Sequence, residues 1–306
     1  MSGRGQRCSI LSFGMHKDEG AEVTGRAGLT LVVEAARAIR LEAVVKQHLK
    51  VAKRRRGFSE VAKLEALMLL IAGGGDRIED IRTLSEDRGL ARLLEGELPS
   101  PDALLDFLRA FDDPAVWAQR PTDEKSFVPP ETAAFEGLFA VNREVVARVA
   151  DPAVTTATLD HAGTIIEAHK SGATVAYEGT RGYQPLVAVW VEQDLIVGDE
   201  FRDGNVPGNK DPLTSVRRAF AALPAWVRKR YFRGDSADYY EPLLKYLAKE
   251  KIAFSISADM SPELRARCEA VPAPKWVELS PREREVVHVA EVDFTPGDWP
   301  KSATPL

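Results

Sequence analysis

Cysteine is nearly missing from this chain. Cys8 and Cys268 are the only two in 306 residues, too few for a disulfide framework, and neither stands in a Cys/His cluster with zinc spacing. Long apolar runs are missing as well, since none approaches the roughly 18 residues that a membrane span requires. The amino-terminal stretch is rich in Ser, Gly and Arg and carries Asp18, Glu19 and Glu22 without an apolar core, so it does not read as a secretory signal. These absences point to a cytoplasmic chain in reducing surroundings, with no membrane partner. A hydrophobic content of 44% against 28% charged residues is that of an ordinary soluble protein, and 306 residues leave room for two domains.

Excess positive charge is also missing overall, the net charge being −5, but the average hides an asymmetry. Residues 1–63 hold 13 Lys/Arg against 6 Asp/Glu, densest around Lys50, Lys53, Arg54, Arg55 and Arg56. Such a block neutralises phosphates and gives salt-dependent nucleic-acid binding. A solvated loop between helices accounts for it equally well. Lys53, Arg54, Arg55 and Arg56 are therefore the DNA-backbone candidates of this half.

The texture changes along the chain. Residues 1–28 read as a flexible segment. From 29 to about 150 the pattern is helical: Leu31, Val32, Ala35, Ala36 and Ile39 recur at helical spacing, and Leu41, Val44, Val45 and Leu49 continue the stripe. Ser59 caps a helix closed by Gly73-Gly74-Gly75, and Pro99-Ser100-Pro101 precedes another. Short helices on tight turns suit a helix-turn-helix module, and suit any small bundle equally. Asp, Pro and Lys dominate 112–132, the best linker candidate, before a helix over about 132–149.

From 151 to 306 strands and helices alternate. A strand ending at Asp160 is followed by 164–168, 175–177, 186–191 and 195–197, spaced as an antiparallel meander. A helix over 213–223, a strand before Asp235, a helix over 239–249 and a strand over 252–256 complete the order βββαβαβ. The expected class is α/β (α+β): an RNase H-like mixed sheet with flanking helices behind an all-α amino-terminal domain. In that order the first and fourth strands are neighbours, which would bring Asp160 and Asp235 together although 75 residues separate them. A carboxylate at a strand end suits a hard divalent cation, and two on neighbouring strands begin a site for phosphoryl chemistry.

Thr158-Leu159-Asp160, Gly182-Tyr183-Gln184-Pro185-Leu186, Phe201-Arg202-Asp203-Gly204-Asn205-Val206, Arg233-Gly234-Asp235-Ser236-Ala237 and Ile256-Ser257-Ala258-Asp259 resemble the DDE transposases of bacterial insertion sequences, DDE domain group 1. The stretches from Ala72-Gly73-Gly74 to Asp80 and at Leu98-Pro99-Ser100 look like that family's helical region, so the resemblance runs from about Gly28. It implies Mg²⁺-dependent DNA cleavage and strand transfer at insertion-sequence ends, with Mn²⁺ able to substitute. Asp160 and Asp235 are the implied catalytic acids and metal ligands. Double-stranded DNA, as transposon ends and target, is the implied partner, bound by a homo-oligomer. Arg202, Arg233 and Arg181 are candidates for phosphate contact, a buried pair with Asp203 or Asp259 being the alternative for Arg202.

Two departures from the pattern stand out. The family's first motif usually carries a second aspartate two residues on, where this chain has Ala162. Its third acid, a Glu on a later helix, has no counterpart among Glu269, Glu278, Glu283, Glu285 and Glu291, and Pro305-Leu306 come before any such helix. The resemblance thus implies a carboxy-terminally truncated, inactive or nearly inactive transposase. The alternative is a DNA-end-binding or inhibitory fragment without catalysis, and a third reading recruits Glu291 or Asp293. The bland readings are an N-cap role for Asp235, an Asx-turn for Asp160, a partly exposed His161 and a surface His169.

Overall fold

The computed structural model of the chain describes residues 23–51, 57–121, 125–170, 172–282 and 285–294. The chain divides into two compact units, Met1–Glu124 with Pro129–Asp151, and Lys125–Val128 with Pro152–Leu306. No helix among the described residues is long and apolar enough to cross a membrane.

In the first unit the described elements are helical: α1 (Thr30–Ala38), α2 (Leu41–His48), α3 (Glu60–Ala72), α4 (Ile81–Ser85), α5 (Arg88–Leu94), α6 (Pro101–Arg109), α7 (Pro114–Trp117) and α8 (Ala133–Val149), with short 3₁₀ turns. The stripe read as continuous from Leu31 to Leu49 breaks at Arg40, whose φ of 55° lies in the left-handed region. Arg148 on α8 donates to the Ile39 carbonyl oxygen at 2.6 Å, satisfying a group that the break leaves open. Ser59 accepts from the Ala62 amide at 3.1 Å and starts α3. Leu69, Ile81, Leu90 and Leu104 form one apolar cluster, and Val44, Val45, Phe107 and Val141 centre a second.

The second unit is a mixed α/β body. Its strands are β1 (Thr156–Gly163), β2 (Ile166–Glu167), β3 (Thr174–Val175), β4 (Arg181–Tyr183), β5 (Leu186–Trp190) and β6 (Leu195–Glu200). Then come α9 (Pro212–Ala222), β7 (Lys229–Gly234), α10 (Glu241–Lys249), β8 (Ala253–Ile256), α11 (Pro262–Glu269) and the hairpin β9 (Val277–Arg282) with β10 (Glu285–Val289). The main sheet runs β6-β5-β1-β7-β8. Both β1–β5 and β5–β6 pair antiparallel, and both β1–β7 and β7–β8 pair parallel. Parallel pairs need crossover connections, which α9 and α10 supply.

The expected meander is only half formed. β2, β4 and β3 make a separate three-stranded sheet, while β5 and β6 join the main one. Strands of two or three residues cannot cross the main sheet, and Pro185, lacking an amide donor, separates β4 from β5. Gly182 lets β4 lie on β2, because a Cβ there would strike the Ile166 carbonyl oxygen.

The main sheet has one buried face and one open one. Ala157, Leu159 and His161 of β1 are buried, as are Leu186, Ala188 and Trp190 of β5 and Phe232 of β7. Register aligns these residues, pairing Leu159 with Trp190 and Phe232, and His161 with Ala188. Helix α9 packs against β1, β5 and β6, and Ala219 comes so close to Gly198 that an added Cβ would meet its Cβ at 3.1 Å. Trp190 closes the core by donating its indole N–H to the Thr156 carbonyl oxygen at 3.0 Å. Leu159 is fully buried at the centre of this face. Leu159→Ala should therefore cost about 2–5 kcal/mol, read as a lowered midpoint in urea unfolding of the full chain.

Candidate functional site

Alternation along β1 turns Asp160 away from the core, onto the face it shares with Thr156 and Thr158. The parallel register sets Asp160 opposite Arg233 of β7, and His161 opposite Gly234. Asp235 follows Gly234 directly in extended conformation, with φ −86° and ψ −167°. Only Gly234, the last paired residue of β7, separates Arg233 from Asp235. Asp160 is thus the fifth of the eight residues of β1, and Asp235 directly follows the last residue of the neighbouring parallel strand β7.

Each aspartate already has a partner. Asp160 accepts two hydrogen bonds from Arg233, Nε to Oδ1 at 3.0 Å and Nη2 to Oδ2 at 2.6 Å, a fork-to-fork pair. Both side chains are substantially exposed, 40% for Asp160 and 54% for Arg233. The guanidinium holds the Asp160 carboxyl below the usual carboxylate range, first by hydrogen bonding and then by its charge. The Arg233 pKa is raised in return. Asp235 Oδ1 accepts from the Ala237 amide at 2.8 Å, capping the 3₁₀ turn Ser236–Asp238. The capping reading of Asp235 is therefore realised in the structure, and it occupies one of the two carboxylate oxygens.

Beneath this face lies a buried polar chain that links the same two segments. His161, which the sequence suggested was partly exposed, is only 2% exposed. Its Nδ1 lies 2.9 and 3.0 Å from the Asp238 oxygens, and its Nε2 lies 3.2 Å from Ser215 Oγ on α9. All groups are satisfied if Nδ1–H donates to the carboxylate and the Ser215 hydroxyl donates to Nε2. Burial pushes the Asp238 carboxyl up, opposed by the hydrogen bond and charge of His161. Gly234 makes room for this contact: a Cβ there would lie 2.8 Å from Asp238 Cβ, 2.9 Å from its Cγ, and against Oδ2. The signal for the pair was present in the sequence. Ala157, Leu159 and His161 alternate inward, and a histidine in that row needs a buried partner. Nothing in the sequence pointed to Ser215 as one.

The expected DNA contacts fare differently. Arg202 is completely buried, so its guanidinium does not face a phosphate. It pairs with Glu200, Nε donating to Oε1 at 2.5 Å, while Nη2 donates to the Asp211 carbonyl oxygen. The Phe201–Val206 block is a core joint: Gln184 donates its amide to the Arg202 carbonyl oxygen, and Gly204 packs against the backbone of Gly182 and Thr174. Lys53, Arg54, Arg55 and Arg56 lie outside the described residues. Arg181 is exposed and donates to the Ala173 carbonyl oxygen at 2.8 Å. That leaves Arg233 exposed beside the two aspartates.

Hard carboxylate oxygens on an open sheet end suit Mg²⁺, an ion that accepts one or two protein carboxylates and retains water. Among the described residues, however, no group of three His, Cys, Asp or Glu is arranged to hold a metal. The donor chemistry fits a divalent cation, but Arg233 now occupies the carboxylate that would receive it.

The profile of the family described as "Transposase DDE domain group 1" matches residues 15–304. No curated protein matches the chain. Among solved structures, a cryo-EM structure of the piggyBac transposase synaptic complex with hairpin DNA is similar at 13% identity and a TM-score of 0.42. That match covers 83% of this chain, which spans 56% of the length of the matched one.

Gly234→Ala should displace the Asp238 side chain from His161 and cost about 1–3 kcal/mol as overpacking. Arg233→Ala, which breaks an exposed pair, should leave the unfolding midpoint nearly unchanged. Parallel denaturant titrations of the two variants check both expectations.

Proposed function

The chain belongs to the transposase DDE domain group 1 family, and from that membership we propose that it acts in DNA transposition through an RNase H-like unit whose acids are Asp160 and Asp235. The observation that supports the reading is the parallel β1–β7 register, which sets Asp160 opposite Arg233, two positions before Asp235. Supporting the RNase H-like assignment is the sheet order β6-β5-β1-β7-β8, with β5 antiparallel to both its neighbours and β1, β7 and β8 parallel. The proposed substrate is double-stranded DNA at insertion-sequence ends, engaged by more than one copy of the chain.

Asp160 and Asp235 would hold Mg²⁺ or Mn²⁺, an ion which, when bound, supplies Lewis-acid stabilisation to a phosphoryl centre. Arg233 carries the exchange on the protein side. Its fork suits a phosphate as well as a carboxylate, so a DNA phosphodiester can take the guanidinium while Asp160 is released. The exposed Asp160–Arg233 pair is of a weak kind and opposes that exchange little.

A second reading, DNA-end binding without cleavage, is favoured by one observation: Arg233 caps Asp160 and no three-ligand group is arranged among the described residues. Two measurements on the full chain separate the readings. Mn²⁺ titration followed by electron paramagnetic resonance should show binding that Asp160→Asn and Asp235→Asn abolish and Arg233→Ala strengthens. Metal-dependent nicking of end-sequence DNA then decides for catalysis, whereas a salt-sensitive gel shift without nicking decides for binding alone. Mn²⁺ binding unchanged in both asparagine variants would overturn the assignment of the two acids.

A further inference from the structure

Resting on the assignment of Asp160 and Asp235 as cation ligands, we infer that the buried Asp238–His161 pair is a positioning clamp that sets the offset between those two acids. Each half of the clamp is tied to one of them. His161 follows Asp160 on β1 and points to the opposite, buried face. Asp238 sits in the turn that Asp235 caps, and its amide donates to the Asp235 carbonyl oxygen at 3.2 Å. The 2.9 and 3.0 Å contacts between His161 Nδ1 and the Asp238 oxygens therefore join the strand of one acid to the turn of the other from beneath. Ser215, at 3.2 Å from Nε2, fixes the imidazole plane from α9.

The residues between the two halves are built around this contact. Gly234, immediately before Asp235, is the position where a side chain would occupy the space the Asp238 carboxylate takes. Immediately before Asp238, Ala237 leaves so little room that a Cβ on Gly208 would lie 2.8 Å from the Ala237 Cβ. The Asp238–His161–Ser215 sequence of contacts has the order of a hydrolytic triad, but Ser215 is 1% exposed and lies within a helix, so its hydroxyl has no access to a substrate. A buried polar pair around a carboxylate is an inefficient way to gain stability, since apolar residues of similar volume commonly serve as well. What the pair adds is a directional bond between two segments whose spacing decides whether two carboxylates share an ion.

The test compares Mn²⁺ binding and thermal unfolding of the full chain in three forms: wild type, Asp238→Asn, and the apolar double variant His161→Leu with Asp238→Leu. The clamp predicts cooperative unfolding in all three. It also predicts that the double variant loses about 10–100-fold in Mn²⁺ affinity, the usual effect of removing an outer partner of a metal ligand. Asp238→Asn, which still accepts one bond from Nδ1, should fall between. A folded double variant that binds Mn²⁺ as wild type does overturns the clamp and leaves the metal assignment standing. Should the double variant not fold, amide exchange of metal-free Asp238→Asn decides: faster exchange confined to Ala237 and Asp238 supports the clamp, and unchanged exchange overturns it. If that acceleration is seen while the wild type shows no Asp160-dependent Mn²⁺ binding, the clamp holds and the metal assignment fails.

Discussion

Parallel pairing of β1 with β7 is the constraint on which the second unit depends. The two strands lie far apart in sequence, and bringing them together closes a long stretch of chain, so the contact must be held by packing. Leu159 against Phe232 and Trp190 supplies that packing on one face, with α9 laid across β1, β5 and β6. The start of the pair is pinned by the Thr155 carbonyl oxygen, which accepts from the amides of Arg228 and Lys229. Once that register is set, the other face has no freedom left. Asp160 must lie opposite Arg233, and Asp235 must leave the sheet one residue after Gly234.

The two faces then handle charge in opposite ways. Below the sheet, Glu200–Arg202 and Asp238–His161 are paired away from water, where an unpaired charge would be costly. Above it, Asp160 and Arg233 meet in the open, where their attraction is diluted by solvent and easily exchanged. Fixed charge beneath exchangeable charge is the arrangement that suits cation and phosphate binding at a strand end.

Much of this was legible from residue order. The β-rich runs before Asp160 and Asp235, the helices over 213–223 and 239–249, and the Ser59 cap all rest on local periodicity, and each has a counterpart in the structure within a few residues. What the sequence did not reveal depended on tertiary company. Helical periodicity carried straight through Arg40, whose left-handed backbone ends α1, because nothing in an arginine announces that turn. The meander reading missed that strands of two or three residues peel away into their own sheet. Arg202 was open to two readings, a phosphate contact or a buried acidic pair; its burial with Glu200 is a property of the joint at Phe201–Val206. His161 was the reverse case, since alternation already placed it inward and only its partner, 77 residues away, was hidden.

The central claim is that Asp160 and Asp235 converge on one cation. It is tested most directly by anomalous scattering from crystals of the full chain grown with Mn²⁺ and a short end-sequence DNA duplex. The account predicts a manganese peak between the two carboxylates, with the Arg233 guanidinium turned from Asp160 towards a phosphate. A fully occupied Asp160–Arg233 pair at saturating Mn²⁺, with no peak between the aspartates, would contradict it.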